Sequence, residues 1–146
     1  MDTVRELLES KASRTIVTTA PDASVRAATI LMNEHGIGAL LVMQGRRLVG
    51  MFTERDVLRR VVAEGLCPDT TTVGDVMSTD LVCCGTDATV EEVADLIRRR
   101  RIRHVPVIDP LDEVVGLVSI GDINARRFAS CEVALHQIED YVFRRA

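Results

Sequence analysis

An internal repeat constrains the fold more strongly than any other feature of this sequence. The tetrapeptide Thr53-Glu54-Arg55-Asp56 corresponds to Ser119-Ile120-Gly121-Asp122, and each follows an apolar run that contains a Val-Gly step. Earlier in each copy, Asp22-Ala23-Ser24-Val25 corresponds to Asp87-Ala88-Thr89-Val90. A repeated unit usually cannot bury its own apolar face and must pack against its neighbour. Because 146 residues is the length of one domain, we expect two halves of a single pseudo-symmetric domain.

Composition and charge exclude several classes of protein. A hydrophobic content of 47% with 27% charged residues is typical of a soluble globular chain. No stretch approaches the ~18 apolar residues of a membrane span, and the first residues lack the apolar core of a secretory signal. We therefore expect a cytoplasmic protein with no membrane partner. The net charge of -4 and the aromatic content of 3% make nucleic acid an unlikely partner.

The four cysteines fit no metal-binding or disulfide pattern. Cys67, Cys83, Cys84 and Cys131 match neither a C-x-x-C motif nor a Cys/His zinc spacing. Cys83 and Cys84 are adjacent, but neighbouring side chains on a strand point to opposite faces. We expect reduced thiols and no metal site.

The residue pattern predicts the same order of elements in each half: strand, helix, two hairpin strands and a closing helix. In the first half these are a strand over 15–19, a helix between the Ser24 cap and Gly36, strands over 39–43 and 48–52, and a helix from 53 to about 63. In the second half a capping box, Thr89 to Glu92, opens the helix, and strands over 105–108 and 114–118 precede a helix that reaches about Phe128.

These elements define the predicted domain organisation. The first repeat covers residues 10–64 with a leading helix over 3–12, and the second covers 73–128. The segment 64–72 contains Gly65 and Pro68 and reads as a linker. Residues 130–146 predict an amphipathic helix, whose apolar face packs either on its own domain or on a partner subunit.

Together the repeated motifs resemble the cystathionine-beta-synthase (CBS) domain. The motifs that carry the resemblance are Met77-Ser78, Thr89-Val90-Glu91-Glu92, Ile102-Arg103-His104-Val105-Pro106-Val107-Ile108-Asp109, Val115-Gly116-Leu117-Val118-Ser119 and Gly121-Asp122. The first repeat resembles the same domain, so the two copies cover about residues 10–128. The resemblance implies a stand-alone CBS pair, or Bateman module: an α+β fold with two three-stranded sheets about a pseudo-twofold axis. It also implies disc-like homodimers, and two clefts between the halves that bind adenine nucleotides or related adenosyl compounds.

The repeated [Ser/Thr]-x-x-Asp motif has two interpretations. At a strand-to-helix junction it places a hydroxyl and a carboxylate beside free backbone N–H groups, so that the carboxylate can accept from both ribose hydroxyls. The same pattern is also a helix-capping box. Its repetition at equivalent positions of a recognisable CBS pair favours the ligand site, and the two roles are compatible.

The resemblance also carries over individual site residues. One site would use Asp56 for ribose and Thr53 for phosphate; its apolar walls would be Met51, Leu81, Val82, Ile102 and Pro106. The companion site would use Asp122 and Ser119; its walls would be Leu117, Ile16, Val17, Ile37 and Leu41. Basic residues at the positions of Arg103 and His104 face phosphates in the family. The first repeat has Gly38 and Ala39 there, so we expect unequal phosphate affinities.

Two further features leave alternatives open. The run from Arg98 to Arg103 fits either a solvated helix C-terminus, where cations offset the helix dipole, or a polyphosphate site in which Arg103 takes part. His104 fits a phosphate-facing donor better than a catalytic base or metal ligand, because it has no partner spacing with His35 or His136.

The sequence leaves three classes of function to consider. The first is a regulatory sensor that binds an adenosyl ligand between the repeats and signals to a protein partner that the sequence does not name. The ligand could be AMP, ADP, ATP, an NAD-type dinucleotide or S-adenosylmethionine. The second is a scaffold for dimerisation or interaction that works without ligand. The third, an enzyme, is disfavoured because the sequence has no nucleophile–base pair, phosphate loop or metal cluster, and we expect no catalytic cofactor.

Overall fold

The computed structural model describes residues 2–11, 16–129 and 142. The first repeat contains β1 (Thr18–Thr19), α2 (Val25–His35), β2 (Ala39–Gln44), β3 (Arg47–Thr53) and α3 (Glu54–Asp56), which continues as a π-helical segment, Val57–Val62. The second contains β4 (Cys84–Gly85), α5 (Val90–Arg100), β5 (His104–Ile108), β6 (Val114–Ser119) and α6 (residues 120–129). Two short helices, α1 (Val4–Ser10) and α4 (Val73–Val76), precede the repeats.

The predicted α+β class and its two three-stranded sheets are confirmed. The sheet orders are β1-β2-β3 and β4-β5-β6, with a parallel first pair and an antiparallel hairpin in each. The hairpins match the predicted strands closely. Of the strand predicted over 15–19 the structure contains β1, while residues 12–15 lie outside the described part. The predicted C-terminal helix over 130–146 also lies outside it, apart from the helical residue 142.

Local capping explains where the helices begin and end. The Ser24 side chain accepts from the Ala27 backbone N–H at 3.0 Å, and α2 ends at Gly36 in the left-handed conformation that glycine adopts without strain. Helix α5 ends in the same conformation at Arg101, a residue type that rarely adopts it. The closing helix of the first repeat was predicted from 53 to about 63, and within it residues Val57–Val62 are π-helical. Such segments occur often at functional sites.

Three hydrophobic clusters organise the interior. One lies under α2 and the first sheet and includes Leu40, Phe52 and Val61, all fully buried. A second lies under α5 and the second sheet and includes Val105 and Val118. The third joins the halves: the buried Ala39, Leu41 and Met51 contact Ile16, Met43, Leu48, Leu81, Val114 and Leu117. Because this third cluster draws on both repeats, it fixes the two sheets face to face.

The two short leading helices are exchanged between the halves. Helix α1 precedes the first repeat but packs on the second: Val4 N–H donates to Ala88 O at 2.8 Å, and Val90 N–H donates to Asp2 O at 2.9 Å. Helix α4 precedes the second repeat but packs on the first, where Val73 N–H donates to Ala23 O at 2.8 Å. Each half therefore completes its core with a segment that the repeat order assigns to the other half.

The glycine of each Val-Gly step admits the exchanged segment. A Cβ atom at Gly116 would lie 2.7 Å from Leu8 Cδ1, and one at Gly50 would lie 2.5 Å from Met77 Sδ. Such distances are too short for packed atoms, so the neighbouring side chain would have to move. The repeated glycines thus leave room for α1 on β6 and for the end of α4 on β3.

Substitution of Gly116 by alanine is expected to destabilise the fold by about 1–3 kcal/mol through overpacking against Leu8. Gly85→Ala is the matched control, because no atom lies within 4 Å of the added Cβ. Chemical denaturation measures both. Leu8→Ala in the Gly116→Ala background should recover part of the loss, and an additive double variant would contradict the contact.

Candidate functional site

A cavity of about 260 Å³ lies between the halves beside Asp56, and we call it the Asp56 cavity. All seven residues predicted for this site line it: Met51, Thr53, Asp56, Leu81, Val82, Ile102 and Pro106. Arg103 and His104, which the resemblance assigned to phosphates without choosing a cleft, line it too. Strand β3 and α3 supply the polar side chains, while Leu81, Val82, Ile102 and Pro106 come from the other repeat. The structure therefore brings together the residues that the resemblance selected.

A second cavity of about 430 Å³, the Asp122 cavity, lies at the equivalent position of the other half. It is lined by the predicted residues Ile16, Val17, Ile37, Leu117, Ser119 and Asp122. Leu41, which was also expected here, is fully buried and does not line the cavity. Its side chain belongs to the cluster that joins the halves, because that position of β2 points into the interface.

Asp56 caps its helix and keeps one oxygen for other partners. Its Oδ2 accepts from the Thr53 backbone N–H at 2.9 Å, and the Asp56 backbone N–H donates to Thr53 Oγ1 at 3.4 Å. Arg60 Nε lies 3.7 Å from Oδ1. Asp56 is only 6% exposed, so this carboxylate is pre-positioned in the cavity wall. The capping interpretation is correct for Asp56, and it leaves Oδ1 available for a hydrogen-bond donor.

Asp122 makes the same cap but has a different cation beside it. Its Oδ2 accepts from the Ser119 backbone N–H at 2.8 Å and from Lys11 Nζ at 3.0 Å. Lys11 Nζ also donates to Leu117 O at 2.9 Å. The sequence interpretation missed Lys11, since its place in the chain assigned it to the first repeat. The exchange of α1 carries it into the cavity of the second.

The two cavities differ in their charged residues. Four arginines line the Asp56 cavity: Arg55, Arg59, Arg60 and Arg103, with Glu54 and Asp80 as further acidic residues. The charged residues of the Asp122 cavity are Glu9, Lys11 and Asp122. Arg55, Arg59 and Arg60 were not predicted, although they flank Asp56 in the sequence. Their positions on α3 and the π-helical segment turn them towards the cavity.

His104 lies between the cavities and lines both. Burial lowers the pKa of its imidazole below the ordinary 6.5; Asp122 and Glu54 raise the pKa, and Arg103 and Lys11 lower it. A ring with a lowered pKa is neutral at pH 7, so it can donate from one nitrogen and accept at the other.

The lowered pKa of His104 predicts a pH dependence of stability. Between the folded pKa and about 6.5 the unfolded chain binds more protons, so stability rises with pH across that window and falls as the solution is acidified through it. We expect the melting temperature of the wild type to fall more steeply than that of His104→Gln between about pH 7.5 and about pH 5.5. Equal slopes would contradict the assignment.

The thiols in the described part of the chain form no disulfide, and burial lowers the reactivity of those that it covers. Cys67 is exposed, whereas Cys83 and Cys84 are half-buried. Burial raises the pKa of the Cys84 thiol to about 11, which disfavours the reactive thiolate. Cys131 lies outside the described residues.

Among the described residues no group of three or more His, Cys, Asp or Glu side chains is arranged to hold a metal ion, and no helix is long and apolar enough to span a membrane.

Comparison with known proteins identifies the family. A family model described as the CBS domain matches residues 4–63 and 73–127. This chain belongs to the CBS domain family. The two matched segments of this CBS pair correspond to the two repeats.

The curated relatives include a CBS domain-containing protein of similar length. This CBS pair is 32% identical over 115 residues to YhcV, a CBS domain-containing protein of Bacillus subtilis, in a match that covers 79% of the chain and 81% of YhcV. Four other curated relatives are longer, and the chain spans 22% to 58% of their length.

Solved structures support the same assignment. A protein with CBS domains from Burkholderia ambifaria is 36% identical with a TM-score of 0.84, and the match covers 87% of this chain and 94% of that one. The CBS domain pair of the protein MJ0100 is 26% identical with a TM-score of 0.77, covering 89% and 98%. MJ0100 was crystallised with 5′-methylthioadenosine and S-adenosyl-L-methionine.

Proposed function

We propose that this CBS pair is a regulatory module that binds adenosyl ligands in the Asp56 and Asp122 cavities. One observation carries the proposal: each cavity combines an aspartate at a strand-to-helix junction of one repeat with apolar walls from the other repeat. The adenosyl ligands of the MJ0100 pair support the ligand class.

The geometry of the Asp56 cavity fits the parts of an adenosyl ligand. The Oδ1 of Asp56, which lies 3.7 Å from Arg60 Nε, can accept from ribose hydroxyls. Met51, Ile102 and Pro106 offer apolar surface for the flat faces of adenine. Thr53 at the start of α3 presents its hydroxyl near the first N–H groups of the helix, which suits a phosphate oxygen. In the Asp122 cavity a ribose would share the carboxylate with Lys11.

A ligand in either cavity would act by holding the repeats together. It contacts residues of both halves, so it stabilises the arrangement of the halves in which these contacts are made. The ligand can shift the equilibrium between two arrangements of the halves only by the difference in its binding free energy for the two. A partner protein that contacts both halves would respond to this shift.

A panel of AMP, ADP, ATP, NAD⁺, S-adenosylmethionine and 5′-methylthioadenosine tests this function. Thermal shift and calorimetry should detect stabilisation by at least one of them. At a concentration of about 100 times Kd, one bound ligand contributes about 2.7 kcal/mol, or a rise in Tm of about 5–10 °C for a chain of this size. If none of the six binds, the alternative of a ligand-independent scaffold replaces the sensor.

We further propose that the protein forms homodimers through the closing helix of the first repeat. Leu58 and Val62 lie one turn apart on the π-helical segment, and their exposures are 64% and 63%. Leu66 continues this apolar surface with 44% exposed. Apolar side chains repeated on one helix are typical of a surface that a second subunit covers.

The dimer is tested by a charge on this surface. Val62→Glu should convert the dimer to a monomer, because an unpaired carboxylate is costly to bury in an apolar interface. Leu111→Glu is the matched control, since Leu111 lies in the β5–β6 turn and is 81% exposed. Sedimentation velocity measures both. A dimer that survives Val62→Glu would place the interface elsewhere.

A further inference from the structure

A third cavity of about 800 Å³ forms an open groove on the second repeat, and we call it the arginine groove. It lies where the end of α5, the start of α3 and one side of α6 meet. Its charged residues are five arginines and one aspartate: Arg55, Arg98, Arg101, Arg103, Arg127 and Asp95. The groove therefore concentrates positive charge on a chain whose net charge is -4.

Two of the five guanidinium groups pair with a carboxylate, and the other three have no acidic partner among the residues that the structure describes. Arg98 pairs with Asp95 at 3.0 Å, and Arg127 pairs with Glu91 at 2.9 Å. Within the described ranges 2–11 and 16–129, no carboxylate forms an ion pair with Arg55, Arg101 or Arg103. These cations are exposed and available to an external anion.

Stabilisation of a helix end does not account for this arrangement. Cations in the last turn of α5 offset its dipole, and that suffices for Arg98, Arg99 and Arg100. Arg55 and Arg127, however, come from other elements and converge on the same groove. Arg55 Nη1 lies 3.5 Å from Arg101 O, so α3 of the first repeat is held against the end of α5.

The arginine groove adjoins the Asp56 cavity but not the Asp122 cavity. Arg55, Ile102 and Arg103 line both the groove and the Asp56 cavity. No residue lines both the groove and the Asp122 cavity, as far as the described residues extend. A row of phosphate groups that extends out of the Asp56 cavity would therefore pass Arg55 and Arg103 and enter the groove.

We propose that the arginine groove binds the distal phosphates of a nucleotide whose adenosine occupies the Asp56 cavity. The Asp56 cavity then selects an adenosine with three or more phosphates, because guanidinium groups bind phosphate oxygens through paired hydrogen bonds. The Asp122 cavity, with Glu9, Lys11 and Asp122, selects an adenosyl ligand of lower negative charge. This assignment rests on the proposed adenosyl function and adds the ligand class of each cavity.

Calorimetry with adenosine, AMP, ADP, ATP and adenosine 5′-tetraphosphate tests the proposal in an Asp122→Asn background, which leaves the Asp56 cavity to be measured. Affinity should rise with each phosphate. Arg101→Gln with Arg127→Gln should lower the ATP affinity by about 10- to 100-fold and leave adenosine and AMP unchanged. Arg99→Gln with Arg100→Gln is the matched control, because it also removes two positive charges, from the end of α5 next to Arg101, and neither residue lines the groove.

The possible results distinguish a failure of the groove assignment from a failure of the proposed adenosyl function. An equal loss for adenosine and ATP in the Arg101/Arg127 variant, or no loss for ATP, overturns the groove while the adenosyl site stands. If no member of the series binds, the groove assignment fails together with adenosine binding in the Asp56 cavity, while the ligand panel on the wild type decides the adenosyl function as a whole. Inorganic tripolyphosphate then reports whether the groove is a nucleotide-independent anion site. Arg101→Gly replaces Arg101→Gln if the first variant folds poorly, since glycine suits the φ of 54° at this position.

Discussion

Replacement of Asp56 and Asp122 together by asparagine is expected to remove adenosyl binding, whereas Asp75→Asn should leave it intact. Hydrogen bonds to a charged group contribute about 1.5–3 kcal/mol each, so each site should lose about 10- to 150-fold in affinity. Isothermal titration of the ligand with the highest affinity in the panel measures the effect. The single variants should each remove one of two binding events.

Asp75 is a matched control for the capping role of the two site residues. Thr72 and Asp75 form the same type of capping box, in which the Thr72 N–H lies 3.4 Å from Asp75 Oδ2. Asp75 is exposed and lines none of the three cavities described above. All three substitutions therefore perturb a helix start, but only two remove a carboxylate from a cavity. Equal loss of binding in all three would show that capping alone explains the motif, and unchanged binding in the double variant would place the ligand elsewhere.

Leu40→Ala is expected to destabilise the protein by about 2–5 kcal/mol and to lower Tm by about 5–15 °C. Leu40 is fully buried on β2 within the cluster under α2, so truncation loses transfer free energy and leaves a cavity. The midpoint of urea unfolding and the melting temperature both measure the loss. Ligand added at a fixed multiple of Kd should restore part of it by mass action.

Leu111→Ala provides the comparison for the same chemical change on the surface. Leu111 is 81% exposed in the β5–β6 turn, and substitutions at such positions usually change stability by less than about 0.5 kcal/mol. A similar loss for the two variants would mean that the first half is not the cooperative core described above.

The sequence predicted the parts of this molecule that local pattern encodes. The hairpins, the helix caps at Ser24 and Thr89 and the two aspartate motifs follow from alternation, capping chemistry and repetition. The wall residues that the family resemblance selected line the two cavities, with one exception. Leu41 was the exception, because the direction of one side chain on β2 depends on how the two sheets face each other.

Features that depend on long-range packing were not predictable from local pattern. Lys11 reaches Asp122 only because α1 crosses to the other half, and nothing near Lys11 in the sequence indicates that crossing. Arg55 and Arg127 are 72 positions apart in the sequence numbering, yet both line one groove.

The exchange of α1 and α4 bears on how such a chain could arise from one repeat. A free-standing copy, consisting of one leading helix and one repeat, would leave its core open and its leading helix without a partner. Two such chains could each insert the leading helix into the core of the other, and this pair would already contain both cavities. Joining the chains through residues 64–72 would change the connectivity and leave the contacts as they were. Later substitutions, such as the arginines beside Asp56, could then alter one cavity independently of the other.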